Sequence, residues 1–564
     1  MSVIFYLLWP ETLLIVVGCL LFLVGMSQKP RVRRIAPVAA LASLVAVFVI
    51  VLWTGGPQSQ EPLHDQWNSI TIFRFQEYVK LISAGVGVLL VLLAWPTNSD
   101  ATGNPGIQYG HECGEFFGLM ILSIAGIFMV ASANDLVLLF LGIELASIPT
   151  YIMVSISRPV PVAQEAGVKY FFLGAMAAAL MLFGFSYLYG TTGQTNLDRI
   201  GSAMHLTGPG NHDLQLFAVI ITLIGLTFKI AAVPLHSYVG DVYQGAATPL
   251  TALLGFVPKT SGFIAIIKIL YTVSQYGDSH WVVPDTLAKL LWVLAVLTMF
   301  IGNVLAFGSL QHNVKRVLAY SSVAHSGYML AGVTVLVTAT GQPDVQQAAL
   351  AGVLFYLAAY GLMNTGAFGV LTMLPARTHI QHGFLEPSEG PQVEAATGTS
   401  AETFEDIAGQ GRRHLFLGLS MSAFCWSLTG LPLTVGFFGK LYLIWPMLAV
   451  RGELKSRMVW LVILLVINAA ISAAYYLRII GTLFLRPEHG VPHAARGPHP
   501  PSEQPLVLPG PTPWPIAVGV ALCVMGTIAF GVSFGATGSL ANRAQSATLQ
   551  PSQRPQSPAV VSAR

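Results

Sequence analysis

Long apolar runs, separated by shorter polar stretches, dominate this chain. A bilayer core about 30 Å thick needs roughly 20 apolar residues for each helix that crosses it. Runs of that length predict an all-α, polytopic membrane protein with about fourteen transmembrane helices. These spans lie near residues 3–25, 36–54, 77–95, 115–132, 135–155, 165–189, 214–238, 248–272, 286–309, 314–338, 346–374, 413–445, 457–483 and 513–535.

Composition supports the membrane class and excludes others. The chain has 564 residues, of which 54% are hydrophobic and only 9% are charged, whereas an average soluble domain is about 25% charged. The net charge of +3 is small and the basic residues are scattered, so nothing indicates binding to nucleic acid. The first apolar run lacks a basic leader and a small-residue cleavage site, so we expect a retained helix rather than a signal peptide.

The cysteines and glycines indicate no metal or nucleotide site. The four cysteines stand far apart and show no metal-ligand spacing. No glycine-rich phosphate-binding motif stands in a strand–helix setting. We therefore expect no cofactor and no metal in this chain.

Arginine and lysine in the loops predict the orientation. Membrane proteins carry more of these residues in cytoplasmic loops. Here they concentrate in the odd-numbered loops, for example at Arg158 and at Lys315 and Arg316, with a dissenting group at 451–457. The balance puts the odd-numbered loops in the cytoplasm and both termini outside, in the periplasm.

The spans divide into an N-terminal segment, two halves and a C-terminal part. The N-terminal three-helix segment covers 1–114, and the two halves cover 115–272 and 286–485. Residues 375–411 form a polar loop inside the second half. A Pro/His-rich loop follows at 486–512, where a flexible solvent loop is more plausible than a metal site. The last span lies at 513–535, and the Ser/Pro/Gln/Ala tail at 540–564 has too little apolar surface to fold alone.

Four ionisable residues lie at membrane depth, where charge is costly and side chains usually face a bundle interior or a wet cavity. Glu144 is near the middle of its span, and Lys229 precedes Pro234 by five residues. Lys259 directly follows Pro258, and Lys440 follows Pro432. Paired proline breaks in corresponding positions of two halves indicate a transporter site. The alternatives are a buried acid bonded to a neighbouring helix for Glu144 and snorkelling for Lys229.

Other polar residues are open to more than one interpretation. Lys169 lies near a helix start, where snorkelling and a role in proton transfer are equally plausible. His236 and His325 could extend a hydrogen-bonded path, or each could be a satisfied packing group. Snorkelling is the better explanation for Lys268, which lies near the end of its span.

Six stretches occur in an order that resembles a known family. They are LGIELASIPTY, EAGVKYFFLGA, FKIAAVPLHSYVGDVYQGAATP, PKTSGF, VKRVLAYSSVAHSGY and LTGLPLTVGFFGKLYL. Together they cover roughly residues 115–485 and are similar to subunit N of NADH-quinone oxidoreductase, bacterial respiratory complex I. The resemblance implies fourteen transmembrane helices with two inverted five-helix repeats, each containing a discontinuous helix.

The resemblance also implies roles and partners. Glu144, Lys229, Lys259 and Lys440 match the family's glutamate and lysines of a midplane axis used in proton translocation, and Lys169 matches a further lysine. Such a chain is a translocase subunit in the bacterial inner membrane, contacting lipid and other membrane-arm subunits. Flavin (FMN), iron–sulfur clusters, NADH and quinone belong to partner subunits. The chain departs from the family pattern at Tyr238, Gly240 and Leu433, where the family has tryptophan, proline and proline.

Two rival functions remain at this point. A stand-alone cation/proton antiporter, or a subunit of one, would share the same general pattern. A structural membrane spacer would hold a complex together without using its buried charges.

Overall fold

The computed structural model is almost entirely helical. It describes residues 8–27, 29–54, 63–64, 70–72, 74–96, 113–158, 160–206, 212–274, 285–309, 313–339, 341–375, 401–486, 514–532 and 534–546. Most of the predicted 375–411 and 486–512 loops, and the tail beyond residue 546, lie outside these ranges. Within them, a two-residue strand pair, β1 (Leu63–His64) with β2 (Thr71–Ile72), is antiparallel.

The helices follow the predicted spans closely. In chain order they are α1 (Trp9–Gly25), α2 (Pro30–Arg33), α3 (Ile35–Thr54), α4 (Arg74–Leu93), α5 (Cys113–Ser132), α6 (Leu136–Ile156), α7 (Pro161–Thr192), α8 (Leu197–Leu206), α9 (His212–Lys229), α10 (Val239–Gly245), α11 (Thr248–Ser274), α12 (Asp285–Gly308), α13 (Val314–Thr338), α14 (Pro343–Met373), α15 (Phe404–Ile407), α16 (Gln410–Arg413), α17 (Leu415–Thr429), α18 (Val435–Ala449), α19 (Lys455–Leu485), α20 (Trp514–Val532) and α21 (Phe534–Ser546).

Length and apolarity confirm a multi-pass membrane protein. In the described residues, eleven helices are long and apolar enough to cross a bilayer, and α1, α17 and α18 are shorter apolar helices. Helix α13 is more polar, yet it is buried along nearly its whole length. Its polar side chains therefore face other helices rather than lipid.

Two spans are broken, and they occupy the same place in each half. The first half runs from α5 to α11 and its fourth span is split into α9 and α10. The second half runs from α12 to α19 and its fourth span is split into α17 and α18. Since each half contains five spans, an odd number, the second half begins at the opposite end of the bundle from the first.

Both broken helices end in the same hydrogen-bond pattern. At the end of α9, the amides of Ala231 and Ala232 donate to the carbonyls of Phe228 and Thr227. At the end of α17, the amides of Gly430 and Leu431 donate to the carbonyls of Ser427 and Trp426. This pair of bonds is a Schellman motif, which needs one residue with positive φ. Ala231 (φ 57°) and Gly430 (φ 87°) supply it.

Contacts between loops support the predicted alternation of ends. Asn313, before α13, bridges to Thr403, and Arg158, after α6, binds Glu402. These loops are all odd-numbered. At the other end, even-numbered loops meet, as where Gln342 donates to the carbonyl of Arg451. The dissenting basic group is partly neutralised there, because Arg457 in the first turn of α19 forms an ion pair with Asp285, the first residue of α12.

The span predicted at 248–272 runs unbroken through Pro258, since α11 continues past this proline and is buried along nearly its whole length. A proline removes one backbone donor, which a helix packed on all sides can tolerate. The tail predicted from residue 540 begins with ordered structure, since α21 continues to Ser546 and packs against α14.

Candidate functional site

Lys229 is the last residue of α9, and its ammonium is bound by one face of α6. The Nζ atom lies 2.9 Å from Glu144 Oε1, 3.0 Å from Ser147 Oγ and 3.2 Å from Tyr151 Oη. Residues three and four apart share one face of a helix, so these three acceptors line a single stripe. A lysine ammonium has three donors, and all are used. The Lys229 side chain is 1% exposed and that of Glu144 is 14% exposed.

The break after α9 determines the position from which the Lys229 side chain extends. Because the helix stops two residues before Ala231, the Lys229 side chain leaves from the very end of the helix. The hydroxyl of Tyr238 donates to the carbonyl of Phe228 at 2.9 Å, which gives this carbonyl a second donor beside the amide of Ala231. The Tyr238 ring also stacks on Tyr170, with centroids 5.0 Å apart. This tyrosine, which departs from the family's tryptophan, therefore still packs as an aromatic ring and adds a cap.

A small cavity lies between Lys229 and Lys259. It has a volume of about 10 Å³, and both lysines line it together with Tyr170, Tyr238 and Tyr243. A cavity of about this volume is the smallest that holds one water molecule, provided polar partners surround it. Two amines and three hydroxyl-bearing side chains surround this one. Lys229 and Lys259, the two lysines of the predicted axis that belong to the first half, therefore face one polar cavity.

Lys259 has a different environment from Lys229. Its Nζ atom donates to the carbonyl of Ser322 on α13 and lies 5.6 Å from the centre of the Tyr360 ring. In the described part of the chain, no carboxylate forms an ion pair with it. Carbonyl dipoles and a ring face hold an ammonium less strongly than a carboxylate does. Among the described residues, Lys259 is therefore a buried amine without a fixed counter-charge.

Helix α13 connects Lys259 with the second half through His325. This histidine is fully buried and follows Ser322 by three residues. Its Nδ1 lies 2.7 Å from Tyr356 Oη and its Nε2 lies 3.0 Å from Tyr476 Oη. Tyr476 in turn shares a hydrogen bond with Ser321. A histidine bonded through both ring nitrogens can pass a proton from one partner to the other.

Lys440 lies beside the second break. Its Nζ atom donates to the carbonyls of Leu428 (2.9 Å) and Thr429 (2.7 Å). These carbonyls end α17, so the lysine satisfies acceptors that the broken helix leaves open. The ammonium also lies 4.9 Å from the centre of the Tyr328 ring. Tyr328 follows His325 by three residues, so α13 contacts both Lys259 and Lys440.

Three buried lysines bind the carboxyl end of a helix. Besides Lys440 at α17, Lys315 donates to the carbonyl of Ala246 just after α10 (2.7 Å). Lys268 donates to the carbonyls of Ala131 (2.5 Å) and Ala133 at the end of α5. Cations are stabilised at this negative end of a helix dipole. The snorkelling predicted for Lys268 is wrong, because backbone carbonyls bind its ammonium and the residue is only 7% exposed.

Two predicted residues lie away from this buried axis. Lys169 is 45% exposed and forms ion pairs with Glu165 (2.7 Å) and Asp241 (3.1 Å). His236 is partly buried in the segment between α9 and α10, and its Nδ1 atom is buried without a hydrogen-bond partner. The structure thus brings Glu144, Lys229, Lys259, His325 and Lys440 into one buried series and leaves these two at its margin.

The sequence reasoning missed the partners of these charges. Ser147 and Tyr151 stand three and seven residues after Glu144, a helical spacing that could have indicated them. It also missed a second buried ion pair, between Glu11 of α1 and Lys80 of α4, at 2.6 Å with each side chain 3% exposed. Ser132 donates to the same Glu11 oxygen at 2.9 Å. The acid in the first apolar run was the available signal.

The remaining cysteines and histidines form no metal-ligand group in the described ranges. Nowhere in the described part of the chain do three or more histidine, cysteine, aspartate or glutamate side chains lie together so that they could hold a metal ion. All four cysteines are free thiols.

Comparison with known proteins identifies a family. The model of the family described as "NADH:quinone oxidoreductase/Mrp antiporter, TM" matches residues 133–472. NADH-quinone oxidoreductase subunit N of Trichlorobacter lovleyi is 35% identical over 486 residues, which cover 85% of this chain and 87% of the relative. The subunit N of Geobacillus kaustophilus is 32% identical, covering 90% of this chain and 88% of the relative.

Solved structures share the fold. A chain of respiratory complex I from Thermus thermophilus, solved with bound aureothin, is 26% identical with a TM-score of 0.67; the match covers 93% of this chain and 97% of that one. A chain of the Mrp complex from Dietzia sp. DQ12-45-1b has a TM-score of 0.72 at 19% identity, covering 97% and 96%. At that identity the second likeness concerns the fold alone.

Proposed function

Because this chain belongs to the family of NADH-quinone oxidoreductase subunit N, we propose that it carries protons through the membrane along Glu144, Lys229, Lys259, His325 and Lys440. The observation that carries this proposal is the ion pair of Lys229 with Glu144. A buried charge pair is expensive to form, and this one lies beside a broken helix. The buried Glu11–Lys80 pair lies within unbroken helices, so the combination of a buried ion pair with a broken helix is what favours a functional role here.

The ion pair acts as a switch. While Glu144 is close, its charge favours the ammonium form of Lys229, and at an effective dielectric constant near 20 a pair 4 Å apart interacts by about 4 kcal/mol. When the two side chains separate, this attraction is lost and the amine releases its proton more readily. Ser147 and Tyr151 hold the ammonium in the closed arrangement, so the switch has a defined rest state.

The released proton moves toward Lys259 and then Lys440. The cavity lined by Lys229 and Lys259 accommodates a water molecule that joins them. Lys259 has no fixed counter-charge among the described residues, so it is ready to accept a proton and to pass it on. His325, bonded to Tyr356 and Tyr476, then lies on the helix that also contacts Lys440. Lys169 and His236 would serve at the entry side.

The chain works within a larger enzyme. Its relatives are subunits of an NADH:quinone oxidoreductase, and its solved neighbours are chains of multisubunit complexes. We infer that adjoining membrane-arm subunits contact it, and that FMN, iron–sulfur clusters, NADH and quinone react in partner subunits. We also infer a place in the bacterial inner membrane with both termini in the periplasm, from the basic residues of the odd-numbered loops.

The comparisons do not favour a stand-alone antiporter, since the relatives at 32–35% identity are named as subunit N. The test is to purify the chain with its partners from native membranes and to reconstitute it into vesicles. We expect co-purification with a flavin-containing enzyme and proton uptake on addition of NADH. A chain isolated alone that exchanges sodium for protons would contradict the proposal.

A further inference from the structure

A short segment, residues 401–413, contacts other odd-numbered loops at one end of the bundle. Its backbone is fixed at several points. Val314, the first residue of α13, donates its amide to the carbonyl of Glu402 at 2.8 Å, and Ala401 donates to the carbonyl of Leu374 at 2.8 Å. Thr403 and Asp406 form a capping box at the start of α15. Glu402 is therefore held in place by its backbone before its side chain makes any contact.

The Glu402 carboxylate binds two cations from different helices. Its Oε1 atom accepts from Arg158, two residues after α6, and from Lys315 of α13 at 3.2 Å. The side chains of Lys315, Arg158 and Glu402 are 0%, 12% and 20% exposed. At such burial a charge is costly unless it is paired, so loss of the carboxylate would leave two poorly compensated cations close together.

The same cluster holds the short half-helix α10. Lys315 donates to the carbonyls of Ala246 (2.7 Å) and Gln244 (3.4 Å), which end that half-helix. The amide of Ala247 donates to Ser157 Oγ at 3.2 Å, directly after α6. One carboxylate thus links the end of α6, the end of α10 and the start of α13.

These three helices carry the proposed proton path. Glu144 lies on α6, the segment after Lys229 leads into α10, and α13 carries His325 and the carbonyl that binds Lys259. We infer that Glu402 is a positioning residue that holds α10 and α13 against α6 and thereby sets the closure of the Glu144–Lys229 pair. This inference rests on the proposed function of that pair.

The test measures NADH-driven proton translocation per assembled complex for three substitutions of Glu402. Glu402→Gln removes the charge but keeps an oxygen acceptor, Glu402→Ala removes both, and Glu402→Asp keeps the charge. Glu405→Gln is the matched control, because it makes the same change on an exposed side chain three residues later. Glu144→Gln is measured beside them. Normalising to assembled complex removes any effect of a lower yield.

We expect Glu402→Gln and Glu402→Ala to reduce proton translocation by about fivefold or more, the lower end of usual coupling between sites. Glu402→Asp should recover most of the activity, and Glu405→Gln should match the unmodified protein. Combining Glu402→Gln with Tyr151→Phe should reduce translocation by less than the product of the single effects, because both act on one ion pair.

Two results would overturn the inference. The first is unchanged translocation in Glu402→Gln while Glu144→Gln is impaired. The second is equal loss in Glu402→Asp and Glu402→Ala, which would indicate a role in packing alone. Unchanged translocation in Glu144→Gln would instead refute the proposed function itself, so the two failures are distinguishable.

Discussion

The hydroxyl of Tyr151 lies 3.2 Å from the ammonium of Lys229, two turns along α6 from Glu144. It completes the set of three acceptors around a lysine that is 1% exposed. With every donor satisfied, the ammonium has no need of bulk water while the pair is closed. Opening the pair therefore costs the interaction between the two charges first, and the ammonium's hydrogen bonds to the hydroxyls of Ser147 and Tyr151 second.

Tyr151→Phe should impair proton translocation less than Glu144→Gln does. The phenylalanine keeps the ring contact with Tyr170 (4.5 Å between centroids) and removes one hydrogen bond to a charged group, about 1.5–3 kcal/mol. Removing the carboxylate removes about 4 kcal/mol of attraction. The measurement is the initial rate of NADH-driven proton uptake in vesicles. Equal loss in the two variants would show that charge is not the dominant contribution.

The two Schellman motifs predict opposite effects of substitution. Gly430 has φ 87° and Ala231 has φ 57°, and a residue with a β-carbon pays about 1–2 kcal/mol for left-handed backbone. Gly430→Ala should therefore destabilise, and Ala231→Gly should relieve strain of similar size. A β-carbon at Gly430 would also lie 2.8 Å from Cδ of Lys440, so only Gly430→Ala should displace that lysine.

The midpoint of thermal unfolding of the detergent-solubilised complex tests this pair. We expect a lower midpoint and slower proton translocation for Gly430→Ala. Ala231→Gly should give an equal or higher midpoint. A higher midpoint for Gly430→Ala would contradict the backbone assignment at the second break.

The ion pair of Glu11 and Lys80 predicts that substituting the lysine destabilises the protein and that also substituting the glutamate restores most of the stability. Lys80→Met leaves a buried carboxylate without its cation, which costs about 3–5 kcal/mol. Adding Glu11→Gln removes the charge and should restore most of the loss. The yield and thermal stability of the assembled complex report this. Equal stability of the single and double variants would contradict the uncompensated carboxylate as the cause of the loss.

Local sequence signals predicted the spans and the second break. Pro432 indicated that break, and α17 does end shortly before it, at a Gly430 with positive φ that is typical of a helix ending. The first break was placed by Pro234, whereas the helix stops at a left-handed Ala231, which has no comparable signal. Pro258, like Pro234 and Pro432, is a proline near a buried lysine. Helix α11 nevertheless continues through it, because neighbouring helices enclose this helix.

Long-range partners could not be predicted in the same way. Glu144 and Lys229 were each found from charge at membrane depth, but 85 positions separate them along the chain, and only packing brings them together. Lys268 shows the converse error. Its distance from the helix end suggested snorkelling, while its acceptors are carbonyls more than a hundred positions earlier. Every residue has a backbone carbonyl, so the sequence does not indicate which carbonyl will accept a hydrogen bond from a distant lysine.

The most direct test of the account is Lys229→Ala, compared with Lys289→Ala as a matched control. Lys289 is 60% exposed and forms an ion pair with Asp285, which is not one of the residues of the buried axis. The measurement is NADH-driven proton translocation in vesicles, together with the amount of assembled complex. We predict normal assembly in both variants and a loss of about tenfold or more in Lys229→Ala only, since it removes an interaction of about 4 kcal/mol. Lys229→Ala that assembles and translocates protons at the unmodified rate would contradict the account, as would loss of assembly without loss of translocation in the complex that remains.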